Sequence, residues 1–142
     1  MSIALSRRVV LLAPLLAATT RCASAQAPDQ EWRGNTGGGP YSAALVARDD
    51  AEWRTLWARL QQPAPFPLPY YTIALSIALG ARSTGGFGIR IDSIFAEDGV
   101  LVVNWTETTP PANTMQTQQV TDPYLVRLLP RTNLPVRVVK VG

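Results

Sequence analysis

Histidine is absent from this 142-residue sequence, and cysteine occurs once, at Cys22. Without an imidazole base the common Ser-His and Cys-His nucleophilic arrangements cannot be assembled. Zinc and copper sites, which rely on His and Cys, have no ordinary ligand set here, and no cofactor motif takes their place. A lone cysteine also excludes an intramolecular disulfide. Long apolar runs are scarce too: the one at residues 9–18 is too short for a stable bilayer anchor, so no membrane span is expected.

An excess of charge of one sign is lacking once the N-terminus is considered separately. Residues 1–25 read as a secretory signal peptide, with Arg7 and Arg8 as the positive n-region, residues 9–18 as the apolar core and Ala23-Ser24-Ala25 as the cleavage site. Its removal after Ala25 takes Arg7, Arg8 and Arg21 from the 13 basic residues and none of the 10 acidic ones, leaving ten of each. A neutral mature chain carries no electrostatic footprint for nucleic acid or anionic lipid. The expected location is therefore periplasmic or extracellular, as a bacterial export. Cys22 could bear the lipid of a lipoprotein, but Arg21 stands where such signals have a small residue, which favours a soluble exported chain.

What is present organises the remainder. Residues 26–40, rich in glycine and proline, read as a flexible tether, and residues 41–142 as a single domain. Residues 41–47 suggest a first strand. Asp49 then caps a helix, with Glu52 placed for a capping-box pattern. Trp53, Leu56, Trp57 and Leu60 form one apolar stripe on that helix, read as core rather than as a ligand platform. Pro63, Pro65, Pro67 and Pro69 end it in an extended crossing. Residues 71–79, apolar on both faces, predict an inner strand.

The stretch around Thr84, Gly85, Gly86 and Phe87 is a glycine-rich loop that feeds directly into sheet. Phe87, Ile89, Ile91 and Phe95 supply the apolar positions of the strand over residues 87–96. Asp98-Gly99 predicts a two-residue hairpin, whose return over residues 100–107 would pair Phe95 with Val102, Ile94 with Val103 and Arg90 with Glu107. Residues 114–120 read as a polar edge strand, residues 124–129 as another strand and residues 136–139 as the last. The sum is a small α+β domain, a largely antiparallel sheet or sandwich with one amphipathic covering helix.

The glycine loop lacks the Gly-Lys-Ser/Thr ending of a phosphate cradle and leads into a strand rather than a helix. One enzymatic route remains, a pair of carboxylates at Asp92 and Glu107 acting as a small hydrolase on an envelope glycan. Arg90 beside them favours a plain charged surface instead.

Residues 75–130 hold an ordered set: a strand ending in Gly80, Thr84-Gly85-Gly86-Phe87 leading into Ile89 and Ile91, and the Asp98-Gly99 turn. A valine-rich strand ending in Glu107 and Pro110 follows, and then Thr121-Asp122-Pro123-Tyr124-Leu125-Val126. This order resembles the PrcB family, named for a subunit of a secreted bacterial protease complex. Phe87 stands where the family usually has tyrosine. The resemblance implies an exported, often lipid-anchored, non-catalytic subunit whose partner is another exported or envelope protein, a peptidase being the type case. The expected contact residues are Thr84, Gly85, Gly86, Phe87, Pro110, Pro111 and Tyr124, because an aromatic between glycines makes a compact anchor. Phe87 could equally be the first core residue of its strand, with the glycines allowing a tight bend. Residues 84–87 are also similar, over those four positions alone, to the wedge loop of chagasin-type cysteine-protease inhibitors.

Overall fold

The computed structural model describes residues 30–142. The expected signal peptide, its cleavage site and Cys22 lie outside the described residues. The strands are β1 (Glu31–Gly34), β2 (Ala43–Ala47), β3 (Thr72–Ala78), β4 (Gly88–Glu97), β5 (Val100–Thr108), β6 (Tyr124–Pro130) and β7 (Val136–Lys140), and the helix α1 is Asp50–Arg59. They form a four-stranded antiparallel sheet in the order β1-β6-β3-β2 and a three-stranded sheet in the order β4-β5-β7, with β5 and β7 parallel. This is the expected small α+β fold, with its strands divided between two mostly antiparallel sheets. Among the described residues no helix is long and apolar enough to cross a membrane.

Three layers follow from the alternation of side chains along β3, every residue of which is buried. Ile73, Leu75, Ile77 and Leu79 point to one face and pack with Leu125 and Leu129 of β6 against Ile89, Val103 and Trp105 of the second sheet. Ala74 lies on the other face, where Val126 and Leu128 join it beneath α1. Small residues at Thr72, Ala74, Ser76 and Ala78 leave room there for the tryptophans of the helix.

The helix forms as its sequence dictates. Asp49 Oδ1 accepts the Glu52 N–H at 2.7 Å, while the Glu52 carboxylate reaches back to the Arg48 N–H at 2.9 Å. Trp53, Leu56, Trp57 and Leu60 are all buried. Burial of such side chains is worth roughly 1.5–3 kcal/mol each, which holds a helix too short to persist alone. The proline-rich crossing covers its end: Phe66 and Leu68 pack on the same cluster, and the Phe66 carbonyl accepts the Trp53 indole N–H at 2.7 Å.

Three expectations need correction. Within the segment read as a tether, Glu31–Gly34 is a strand paired with β6, because Trp32 inserts among Trp53, Trp57 and Phe66 at ring separations of 5.5–5.9 Å. The hairpin register holds for Phe95 with Val102 and Ile94 with Val103, but Arg90 faces Thr106 and Ile89 faces Glu107. A β-bulge between Ile91 and Ser93 inserts one residue, Asp92, and so reverses the parity beyond it. Ile94 therefore faces the core, and Phe95 is exposed. Finally, residues 114–120 form no strand. Thr114, Gln116 and Gln118 alternate with Met115, Thr117 and Gln119, so Met115 is the one apolar side chain among them and neither face has an apolar row to bury.

Candidate functional site

The glycine loop joins β3 to β4 and is fastened at each step to the segment between β5 and β6. Arg82 and Thr121 exchange both backbone hydrogen bonds, at 2.7 and 2.8 Å. The Thr121 hydroxyl donates to the Thr84 carbonyl at 2.9 Å, and the Gly85 N–H donates to the Thr117 carbonyl at 3.0 Å. Gly86 has φ +89°, and a Cβ there would stand 2.7 Å from Pro110 Cβ and 2.5 Å from Gln116 Oε1. Only glycine meets both the backbone conformation and the close approach.

The structure thus brings Thr84, Gly85, Gly86 and Pro110 together, with Pro111 exposed beside them. Phe87 is half-buried and packs on the core between the sheets, with the Arg82 guanidinium 5.8 Å from its ring. Its aromatic face is therefore directed inward and is not presented as a wedge. Tyr124 does not join the group. It is buried on the opposite face of the four-stranded sheet, where its hydroxyl accepts from Gln62 Nε2 at 2.7 Å.

One residue of this surface is invisible to the motif reading. Met115 is fully exposed, on the segment that covers the glycine loop. A lone methionine in a run of threonine and glutamine was the only signal. Exposed, unbranched and polarizable, it is suited to an adaptable contact.

Asp122 explains why the family-like Thr-Asp-Pro-Tyr run occurs where it does. Its carboxylate accepts the N–H groups of Gly37 and Gly39 at 3.1 and 3.0 Å, and its carbonyl accepts Gly38 N–H at 3.0 Å. Thr121 holds the glycine loop, Asp122 the N-terminal turn, and Tyr124 the helix-side core. The run is a junction of three parts of the chain.

The two carboxylates of the enzymatic route, Glu107 and Asp92, each have their own partners. Glu107 bonds Arg82 Nε and Lys140 Nζ, both at 2.7 Å, and the Arg82 hydrogen bond above all, aided by Lys140, brings its carboxyl down to about 2. Asp92 accepts from the Thr106 hydroxyl and from Arg90 Nε, and the Thr106 bond first and Arg90 second lower its pKa as well. A general acid for glycoside cleavage needs the opposite shift.

Comparison with known proteins gives one match. Residues 73–127 fit the family model described as PrcB C-terminal. No curated protein and no solved structure matches the chain.

Proposed function

With a PrcB C-terminal segment in residues 73–127 as the premise, we propose that this chain is a non-catalytic, exported accessory subunit that binds a peptidase of the cell envelope or its surroundings. The observation that carries the reading is the placement of the family segment's glycine loop. Residues 84–86 are fastened against Pro110 and residues 116–121, and the joined surface exposes Pro111 and Met115. A fixed backbone with an adaptable apolar tip loses little entropy on docking. The partners that lower the Glu107 and Asp92 pKa values suit neither carboxylate to act as a general acid.

The test is recovery of the tagged protein from its own cells after mild cross-linking, with identification of co-purified peptidases. Met115→Asp runs in parallel; it alters a fully exposed side chain, so the melting temperature should not move. The parent should recover a peptidase, and the variant at least about ten-fold less of it, a loss of about 1.4 kcal/mol in affinity. The peptidase should keep or gain activity when the protein is added. A parent that recovers no peptidase overturns the reading. Stoichiometric loss of peptidase activity would instead make the chain an inhibitor.

A further inference from the structure

Four strands lie at sheet edges: β1, β2, β4 and β7. An edge strand offers unpaired backbone groups to any other strand, and proteins blunt such edges with charges, proline or bulges. β1 carries Glu31 and Arg33, β7 carries Arg137 and Lys140, and β4 carries Arg90, Asp92, Glu97 and the bulge. β2 reads Ala-Ala-Leu-Val-Ala and has none of these devices. Among the described residues, β3 alone supplies backbone hydrogen bonds to Ala43–Ala47.

Beside this bare edge runs a groove of about 370 Å³ between β2 and α1, lined by Leu45, Ala47, Thr55, Leu56, Glu52 and Arg59. Its two charges lie toward opposite ends. Glu52 sits by Arg48, just past the end of β2, whereas Arg59 also lines the adjoining hollow with Ala43 and Leu45 at the strand's start. They are two helical turns apart, about 10 Å. The Arg59 side chain has no ion-pair or hydrogen-bond partner among the described residues.

We propose that β2 pairs antiparallel with β2 of a second copy, about a two-fold axis near Leu45, and so merges two four-stranded sheets into one of eight. The occupant is a second copy because the groove is self-complementary. A two-fold axis at its middle sets Glu52 against Arg59 of the partner subunit and repeats the contact on the other side, as an isologous interface requires. Leu45, on the groove side of the strand, meets its own counterpart at the axis and fills the apolar centre. The proposal does not depend on the peptidase reading, since Leu45, Glu52 and Arg59 belong neither to the glycine loop nor to the segment fastened to it.

Sedimentation of the protein recovered from cells expressing the full chain tests it, with three variants. The parent should show a concentration-dependent dimer. Arg59→Glu and Glu52→Arg, each alone, set like charges against one another twice and should raise the dimer dissociation constant at least ten-fold. An equimolar mixture of the two variants should restore association, as a heterodimer, to within about three-fold of the parent. Leu45→Lys, which leaves the helix cap intact, should also give monomers while keeping the parent's melting temperature. A parent that is monomeric throughout overturns the proposal, and so does a dimer indifferent to all three substitutions. Single variants that dissociate but fail to rescue each other overturn the two-fold arrangement.

Discussion

Arg82 and Glu107 meet at 2.7 Å, Nε to Oε1, and this contact ties the root of the glycine loop to the end of β5. Lys140 of β7 holds the second oxygen of the same carboxylate at 2.7 Å. Three segments distant in sequence therefore converge on one negative charge at the margin of the layer between the sheets.

That charge sets a pH dependence. The Glu107 carboxyl has its pKa lowered from 4.5 to about 2 in the folded protein. A lowered carboxyl contributes stability that is fully present above its unfolded value and is lost as pH falls through the folded one. Lys140 is half-exposed, so water screens part of the interaction, and the contribution is about 1–2 kcal/mol. Urea titrations between pH 5 and pH 2 should show the parent losing this much more stability than Glu107→Gln, with the variant less stable at pH 7. Parallel pH profiles for the two proteins would contradict this role for Glu107.

Gly86 and Gly99 separate two reasons for glycine. Both have positive φ, +89° and +75°, but a Cβ at Gly99 would meet nothing within 4 Å. Gly99→Ala should cost about 1 kcal/mol, the conformational penalty alone. Gly86→Ala adds a clash with Pro110 and should cost about 2–3 kcal/mol. Equal losses in chemical denaturation would mean that the close approach to Pro110 carries no weight.

Asp122→Ala removes the acceptor of two N–H groups, those of Gly37 and Gly39. Hydrogen bonds to a charged acceptor are worth about 1.5–3 kcal/mol, and the loss should fall on the turn first. Hydrogen exchange should speed up at Gly37 and Gly39 by at least ten-fold while the amides of β3 change little. Uniform acceleration across the sheet would argue against a local clasp.

Trp53 and Trp57 lie in the same cluster at a ring separation of 5.5 Å, yet their indole N–H groups differ. Trp53 donates to the Phe66 carbonyl at 2.7 Å, whereas Trp57 Nε1 is buried without an acceptor among the described residues. Trp53→Phe should therefore cost about 1 kcal/mol more than Trp57→Phe. The reverse order in thermal melts would contradict this assignment of the two indole N–H groups.

The sequence revealed the helix fully, because Asp49, Glu52 and the stripe from Trp53 to Leu60 agree at every level. The inner strand was equally legible, since Ile73 to Leu79 has no polar face. The bulge was not: Asp92 interrupts β4 with neither glycine nor proline to mark it, so the hairpin register was right beside the turn and wrong beyond it. Composition concealed β1, where four residues just ahead of a glycine-rich stretch become a strand through Trp32. The layer that Tyr124 enters is not legible, because it opens a strand buried on both faces, where alternation cannot tell one side from the other. Gly86 lies against Pro110, as neighbours at the open end of the β4–β5 hairpin can. Met115 needed the three-dimensional arrangement.

The pairing of β1 with β6 also sets the order in which the molecule can assemble. Glu31 has its strand neighbour at Arg127, so a chain that emerges from its N-terminus must wait for nearly its whole length before β1 can dock. The same holds for β5 and β7, whose parallel contact needs the intervening connection complete. Contacts so remote in sequence exact their loop-closure entropy before returning any stabilisation, which places folding on the millisecond-to-second scale of other β-rich domains. Until its last third is available, the polypeptide stays open, with Trp32 uncovered and the helix without its full bed.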